Sequence, residues 1–472
     1  MANETFTAAA FVRGLKLDRV PPAAAARAKA LTLDFLGSAV RARGEAESTP
    51  AILATLQALG LDSAGPATVM GDARGYAAPV AALLNGALGH SLDFDDTHAA
   101  SSLHPSAPVV PAALAAGELV GANGRTVLEA IIAGYEICCR LGLALDPTAH
   151  YARGFHPTAT AGTFGAAAAA GKVLGLDAAQ MVSAFGVAGS QAAGSLQFLE
   201  NGAWTKRWQV GAAAMNGLIA ASLAQNGFRG AEQAIEGRQG FLAGYSDGAV
   251  VARATDGLGD DWETLRVAVK PYPCCRYAHA ALDGLIALRR EHGFGVEDLR
   301  SVEIGLHRNG VVLVGTPEAA KRRPANVVEG QFSMAFAAAV ALDQGRFGWD
   351  DYVRLGEPGL QAICDLVEVR QNDAVEAASP HPFGARVRVV TAGGTYERAI
   401  PDPSGEPESF PDEDAQRAKF MTLAAPALGE RAALLAGAIL DLDSFGDVRA
   451  ALRFARLQTG AKEADVEPGA PA

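Results

Sequence analysis

The sequence predicts a mainly α protein, a large all-helical domain joined to a smaller α+β domain, and three observations carry that prediction. Hydrophobic residues make up 49% of the 472 residues while aromatics are only 7% and charged residues 19%, so the apolar mass is mostly Ala, Leu and Val, mixed with 53 glycines. Such a mixture suits helices that pack closely. Apolar residues recur at helical spacing from Pro21 to about residue 260, and near Leu265 they switch to the alternation of half-buried strands.

Taken in order, Pro22 suits a first helical position, and Ala23 to Val40 places Leu31, Leu33, Phe35, Leu36 and Val40 near helical spacing until Gly44 stops it. Helical blocks follow at Thr49 to Leu59, Ala77 to Leu92, Pro108 to Val120, Val127 to Leu145, Thr158 to Leu174, Ala178 to Ala188 and Gln209 to Asn226. No fixed repeat period runs through them, which excludes a solenoid. Leu265 to Lys270 and Ser301 to His307 read as strands. Arg386 to Val390 and Thr395 to Ile400 flank Ala392-Gly393-Gly394 as a hairpin. Helices fit between them at Ala278 to Arg290 and Gln331 to Leu342. After the Pro-, Gly- and acid-rich stretch Pro401 to Pro411, helices resume at Asp412 to Ala425, Arg431 to Leu442 and Phe445 to Phe454. The expected division is therefore a helical domain over 1–264, an α+β domain over 265–402, C-terminal helices over 403–458 that return to the first domain, and a flexible tail over 459–472.

A net charge of −12 argues against nucleic acid or an anionic membrane as partner, so an anionic ligand needs a local cationic pocket. The five cysteines are two vicinal pairs, Cys138-Cys139 and Cys274-Cys275, and Cys364, without disulfide-framework or zinc spacing. They point to a reducing, cytoplasmic setting and to packing. Arg13 and Lys16 interrupt the apolar run Ala8 to Leu15, and the alanines at 166–170 are too weakly hydrophobic to span a bilayer, so neither a targeting segment nor a membrane span is expected.

Five of the nine histidines fall between His90 and His156. Asp93, Asp95 and Asp96 precede Thr97 and His104, and three carboxylates so close repel unless something partners them. Metal binding is one solution, but the segment lacks a His-Glu-x-x-His helix, a calcium loop and a Cys partner. The preferred reading makes one or two of the acids orienters of His104 or of a lysine. His156 stands beside a helix N-terminus, where amides and the dipole favour an anion. Lys206-Arg207 is framed by Trp204 and Trp208, which implies partial burial of a cation. Lys270-Pro271-Tyr272-Pro273-Cys274-Cys275 with His279 marks the domain junction, a favoured ligand site. There is no Gly-x-Gly-x-x-Gly, Walker loop or Gly-x-Ser-x-Gly elbow, so nucleotide use and serine hydrolysis gain little support.

Four separated segments, in this order, resemble the MmgE/PrpD family: Asn85-Gly86-Ala87 through Leu92-Asp93-Phe94-Asp95-Asp96-Thr97 with His104-Pro105-Ser106; Gly154-Phe155-His156-Pro157-Thr158; Thr205-Lys206; and Lys270-Pro271-Tyr272-Pro273 with His279. Gln331-Phe332-Ser333, Gly405-Glu406-Pro407 and Lys419-Phe420 add weaker matches. The resemblance, over about residues 5 to 455, implies a helical domain completed by the C-terminal helices, an α+β lid, a cleft between them, a homodimer, and catalysis without metal or organic cofactor. It implies a lyase acting on a di- or tricarboxylate: 2-methylcitrate dehydration foremost, with cis-aconitate-type decarboxylation or iminodisuccinate-type epimerisation as alternatives. A helical protein that binds a carboxylate without turning it over is a further alternative, opposed by the presence of every cationic motif residue. Asp93, Thr97, His104, His156 and Lys206 carry over as catalytic residues, with His104 and His156 exchanging protons and Asp93 and Thr97 positioning them. His279, Lys270, Tyr272, Arg207 and Gln209 are expected at the substrate. Where family members often follow Thr-Lys with His-x-Gly, this chain has Gln209-Val210-Gly211, which bears on the substrate more than on the reaction class.

Overall fold

The computed structural model describes residues 3–200, 202–378 and 383–458. The expected tail and His381 lie outside them. The chain is mainly α, with one four-stranded sheet in its C-terminal part. Its longer N-terminal helices are α1 (Glu4–Gly14), α2 (Pro22–Glu45), α3 (Thr49–Ala58), α4 (Ala78–Gly89), α5 (Ser106–Val120), α6 (Gly124–Ala144), α7 (Pro157–Val173), α8 (Ala178–Gln191) and α9 (Thr205–Gln225). Pro22 occupies the first turn of α2, Asn123 caps α6, and Asp177 with Gln180 forms a capping box on α8. No helix among the described residues is long and apolar enough to cross a membrane.

Small residues let these helices meet at backbone distance. Every residue of α7 is buried. A Cβ on Gly165 would lie 2.9 Å from the Gly134 carbonyl of α6, and one on Gly217 of α9 would lie 2.5 Å from the Ala167 nitrogen of α7. Where α4 crosses α9, a Cβ on Gly211 would lie 2.3 Å from the Leu83 carbonyl. The Ala and Gly excess thus becomes interhelical contact, which fixes the helix ends relative to one another.

Two short pairings, β1 (Ala64–Thr68) with β2 (Gly75–Tyr76) and β3 (Thr97–His98) with β4 (Val267–Ala268), lie apart from the main sheet. That sheet has the order β6-β5-β7-β8, with β5 (Leu299–Leu306), β6 (Val367–Gln371), β7 (Ala385–Thr391) and β8 (Gly394–Ile400). β5 runs parallel to β6 and antiparallel to β7, and the expected hairpin pairs Val390 with Thr395. Val302, Ile304, Val387 and Val389 alternate onto the buried face. α10 (His279–His292) packs on β7 and β8, and α11 (Met334–Gln344) packs beside α10, β6 and α12 (Pro358–Leu366). The strand expected over Leu265 to Lys270 shrinks to β4. Residues Glu263–Arg266 form a 3₁₀ turn instead, and Arg27 takes the carbonyls of Leu265 and Val267, each at 2.9 Å.

After the sheet, α13 (Glu413–Leu428) lies along α2, with Phe420 against the small Gly37, and α14 (Arg431–Leu440) follows. The C-terminal segment therefore touches the helices from which the chain began.

Candidate active site

Four helix ends converge. The C-terminus of α4 leads into the loop His90 to Thr97, and the N-terminal ends of α5, α7 and α9 bring His104, His156 and Lys206 to it. Three helix N-termini turn the positive ends of their dipoles here, so the place favours an anion before any side chain is counted.

Asp93 is the hub of the charged layer. Its carboxylate accepts from Lys206 Nζ at 2.6 Å and faces Lys270 Nζ at 3.1 Å, and Lys270 also donates to the Asp93 carbonyl at 2.9 Å. Burial alone pushes the Asp93 carboxyl up, but the two ammonium groups outweigh it and hold the group well below the usual carboxylate range.

The histidines form a second layer. His90 Nδ1 lies 2.6 Å from Asp95 Oδ2, and its ring is 4.9 Å from that of His104 and 6.0 Å from that of His156. His104 Nδ1 donates to the Asp96 carbonyl at 2.6 Å, with Asp95 Oδ2 at 3.7 Å. Gln209 Nε2 meets His156 Nδ1 at 2.8 Å. Burial is the main cause that holds all three imidazoles well below their ordinary basicity; Lys206 adds to it, and Asp95 partly offsets it at His104. Asp96 accepts from the Ser106 hydroxyl at 2.7 Å and from the Ser106 N–H at the start of α5, while burial and Asp95 push its carboxyl well up. Each acid of the run is therefore partnered by a different element.

Residues 7–254 match the MmgE/PrpD N-terminal domain and residues 272–442 the MmgE/PrpD C-terminal domain. The chain belongs to the MmgE/PrpD family. It is 30% identical over 414 residues to a cis-aconitate decarboxylase of Aspergillus terreus, covering 81% of this chain and 82% of the relative. It is 29% identical over 405 residues to a cis-aconitate decarboxylase-like protein of Aspergillus oryzae, covering 81% of this chain and 83% of the relative. The human cis-aconitate decarboxylase is 33% identical over 218 residues, 44% of each chain. Kinship of this depth supports a lyase-type enzyme.

Several residues expected at the site make contacts other than those expected of them. Asp93 contacts the two lysines, while His90 and His104 contact Asp95 and the carbonyl of Asp96. Thr97 is buried with its hydroxyl unpartnered among the described residues, as are His90 Nε2 and Asp95 Oδ1; such buried polar atoms are costly unless a ligand or water meets them. Arg207 acts on His90 and Asp93 only through its charge, not by contact. It follows Lys206 on α9, about 100° around the helix, and its guanidinium donates to Ser48 Oγ at 3.2 Å. Tyr272 commits its hydroxyl to Asp283 at 2.7 Å and offers its ring to His279, whose Nε2 donates to the Cys274 carbonyl at 3.1 Å. Gln209 spends both ends of its amide on protein partners.

The motifs alone did not single out His90; Gln331 and Lys419 entered only as weaker motif matches, without the bracing contacts that they make to the loop. Gln331 Nε2 donates to the Leu92 carbonyl at 2.9 Å, and Lys419 Nζ bonds the carbonyls of Phe94 and Lys270 at 2.9 and 2.8 Å. The clustering of histidines was the available signal for His90. Among the described residues, His90, Asp95 and His104 are the group close enough to hold a metal ion. As they stand, His90 and Asp95 share a hydrogen bond. His90 Nδ1 and Asp95 Oδ2 are 2.6 Å apart, whereas two ligand atoms each ~2.0–2.2 Å from one ion lie ~3 Å or more apart. A cavity of about 530 Å³ is lined by Gln209 together with Gly194, Ser195, Phe198, Thr205 and Trp208.

Proposed function

We propose that this protein is a cofactor-independent lyase that removes CO₂ from a small polycarboxylate of the cis-aconitate type. The observation that carries this reading is the pair of ammonium groups, Lys206 and Lys270, held on one buried carboxylate beside three low-basicity histidines. Loss of CO₂ leaves an electron pair that must spread into a remaining carboxylate, and preorganised cations stabilise that charge more than they stabilise the bound substrate. A single oxyanion-stabilising donor of this kind is worth about 10²–10³ in rate. The step closes when an acid returns a proton to carbon. His104, with a carbonyl fixing Nδ1–H, can take a proton from solvent on Nε2 and pass it to carbon, and Asp95 is close enough to steady the transient imidazolium, a contribution of about 10²–10⁴.

Dehydration of a 2-methylcitrate-like hydroxy acid needs the same cations, but the named relatives are decarboxylases, and this favours CO₂ loss. The deciding experiment offers cis-aconitate, citrate, 2-methylcitrate, trans-aconitate and iminodisuccinate to the purified protein and follows absorbance, CO₂ and NMR. Release of CO₂ from cis-aconitate supports the reading. Water elimination without CO₂ moves the protein to the hydro-lyases, and silence across the panel by folded protein removes the assignment. Activity should survive a chelator; loss on chelation and rescue by a divalent ion would show that the histidine cluster holds a metal.

A further inference from the structure

Gln209 follows Lys206 by three residues on α9, and its amide has only one consistent orientation. Ser195 N–H can only donate, and it donates to Gln209 Oε1 at 3.0 Å. The Ser195 carbonyl can only accept, and it accepts from Gln209 Nε2 at 3.3 Å. One residue thus reads both ends of the amide. The nitrogen that remains facing His156 Nδ1, at 2.8 Å, is a donor. His156 Nδ1 must then be the acceptor, and its proton must sit on Nε2, across the ring. A proton on Nδ1 would point at an NH₂ group.

We propose that Gln209 is a positioning residue that locks His156 as the neutral Nε2–H tautomer, so that His156 donates a hydrogen bond to the substrate's developing negative charge while His104 alone exchanges the proton. The role toward substrate rests on the lyase reading above; the tautomer does not. The two imidazoles differ in what stands behind them. His104 has a carbonyl on Nδ1 and the Asp95 carboxylate at 3.7 Å, both of which tolerate or favour imidazolium. Around His156 the titratable and charged groups are His90, stacked at 6.0 Å, Lys206 and His150, with the Phe198 ring edge-on at 5.5 Å. Among the described residues no carboxylate acts on it. A neutral imidazole held this way is a hydrogen-bond donor, the role an imidazole takes when its basicity is suppressed. The earlier expectation of two proton-exchanging histidines is thereby replaced by a division of labour.

The test is imidazole ¹⁵N NMR on histidine-labelled protein, with H156Q identifying the resonances. In the wild type, His156 Nδ1 should carry the shift of an unprotonated nitrogen from about pH 8 to about pH 5.5. In Q209E the carboxylate accepts from Nδ1, so Nδ1 should become protonated and His156 should titrate at a higher pH. Kinetically, Q209E should gain a limb absent from the wild type: as pH rises through the raised value, Nε2–H is lost, and kcat/KM should fall about tenfold per pH unit. Q209M, which removes the donor without adding charge, should raise the His156 titration and serves if Q209E folds poorly. A proton on His156 Nδ1 in the wild type, or a His156 signal unmoved by both substitutions, would overturn the proposal. The NMR result stands whether or not any carboxylate in the panel is turned over, so failure of the function and failure of the tautomer are separable.

Discussion

At Asp93 the backbone turns left-handed, φ 52°, a conformation that Asp tolerates better than most side chains and that recurs at functional turns. The turn places carboxylate and carbonyl of one residue within reach of Lys206 and Lys270. Two ammonium groups close to each other need that charge. D93N should therefore destabilise the protein by about 3 kcal/mol, the scale for breaking a buried pair, read from urea unfolding. The same variant supplies a sharper check. A polycarboxylate supplies the missing negative charge, so cis-aconitate should raise the unfolding midpoint of D93N more than that of the wild type. Equal shifts in both would mean that the lysines are not where the ligand's carboxylates bind.

At the scale of elements, the site depends on how close helices come. Gly86 and Gly211 bring α4 and α9 together, and a Cβ on Gly211 meets the Leu83 carbonyl at 2.3 Å, backbone that cannot yield cheaply. G211A should cost about 1–3 kcal/mol as an overpacked contact and lower turnover, because α4 and α9 carry His90 and Lys206. Gly437, inside α14, has nothing within 4 Å of a built Cβ, so G437A should stabilise by about 0.5–1 kcal/mol through helix propensity. Thermal melts of the pair separate close packing from a general intolerance of alanine. Helix phase also explains what the sequence disclosed and what it withheld. Apolar periodicity located the long helices because their buried faces are wide, yet it started α9 at Gln209 rather than Thr205. Starting at Thr205, Lys206 and Gln209 stand three residues apart on one face, and Arg207 turns to Ser48. Without that phase the Lys-Arg pair reads as one cationic patch. The cationic motifs and His104 and His156 were legible because few structural uses predict them. β6 escaped notice because Val367 is its only fully buried residue, so no alternation marks it. Gln331 and Lys419 were legible as weaker motif matches, but their bracing role was not, because they act on carbonyls, which leave no trace in side-chain pattern.

Across the whole molecule, Lys419 joins parts far apart in sequence: Asp34 of α2 at 2.6 Å, the Phe94 carbonyl in the aspartate loop, and the Lys270 carbonyl at the junction. K419M should cost about 3–5 kcal/mol because Asp34 is left buried without its counterion. Replacing both partners, K419M/D34L, should recover stability while turnover stays low, since no group then holds the two carbonyls that place Asp93 and Lys270. Recovery of both together would mean that Lys419 serves packing alone. Protonation reaches the same global scale. His90, His156 and His279 are buried and His104 is half-buried, and loss of hydration is the main cause that holds each well below the ordinary imidazole value. A depressed imidazole is neutral in the fold while the unfolded chain binds protons below ~6.5, so its contribution is complete above that pH and is lost as pH falls. Asp96, Asp34, Glu118 and Glu136 oppose this, because burial raises their folded values and lets the native state keep protons that the unfolded chain releases. The overall slope mixes both signs; a difference isolates one group. The stability advantage of wild type over H279Q should shrink as pH drops below ~6.5, by up to about 1.4 kcal/mol per unit, the equivalent of one proton. Urea midpoints at several pH values measure it, and an advantage that stays constant between about pH 7 and about pH 5 would show that His279 binds its proton equally well folded and unfolded, against the neutral buried layer on which the site is built.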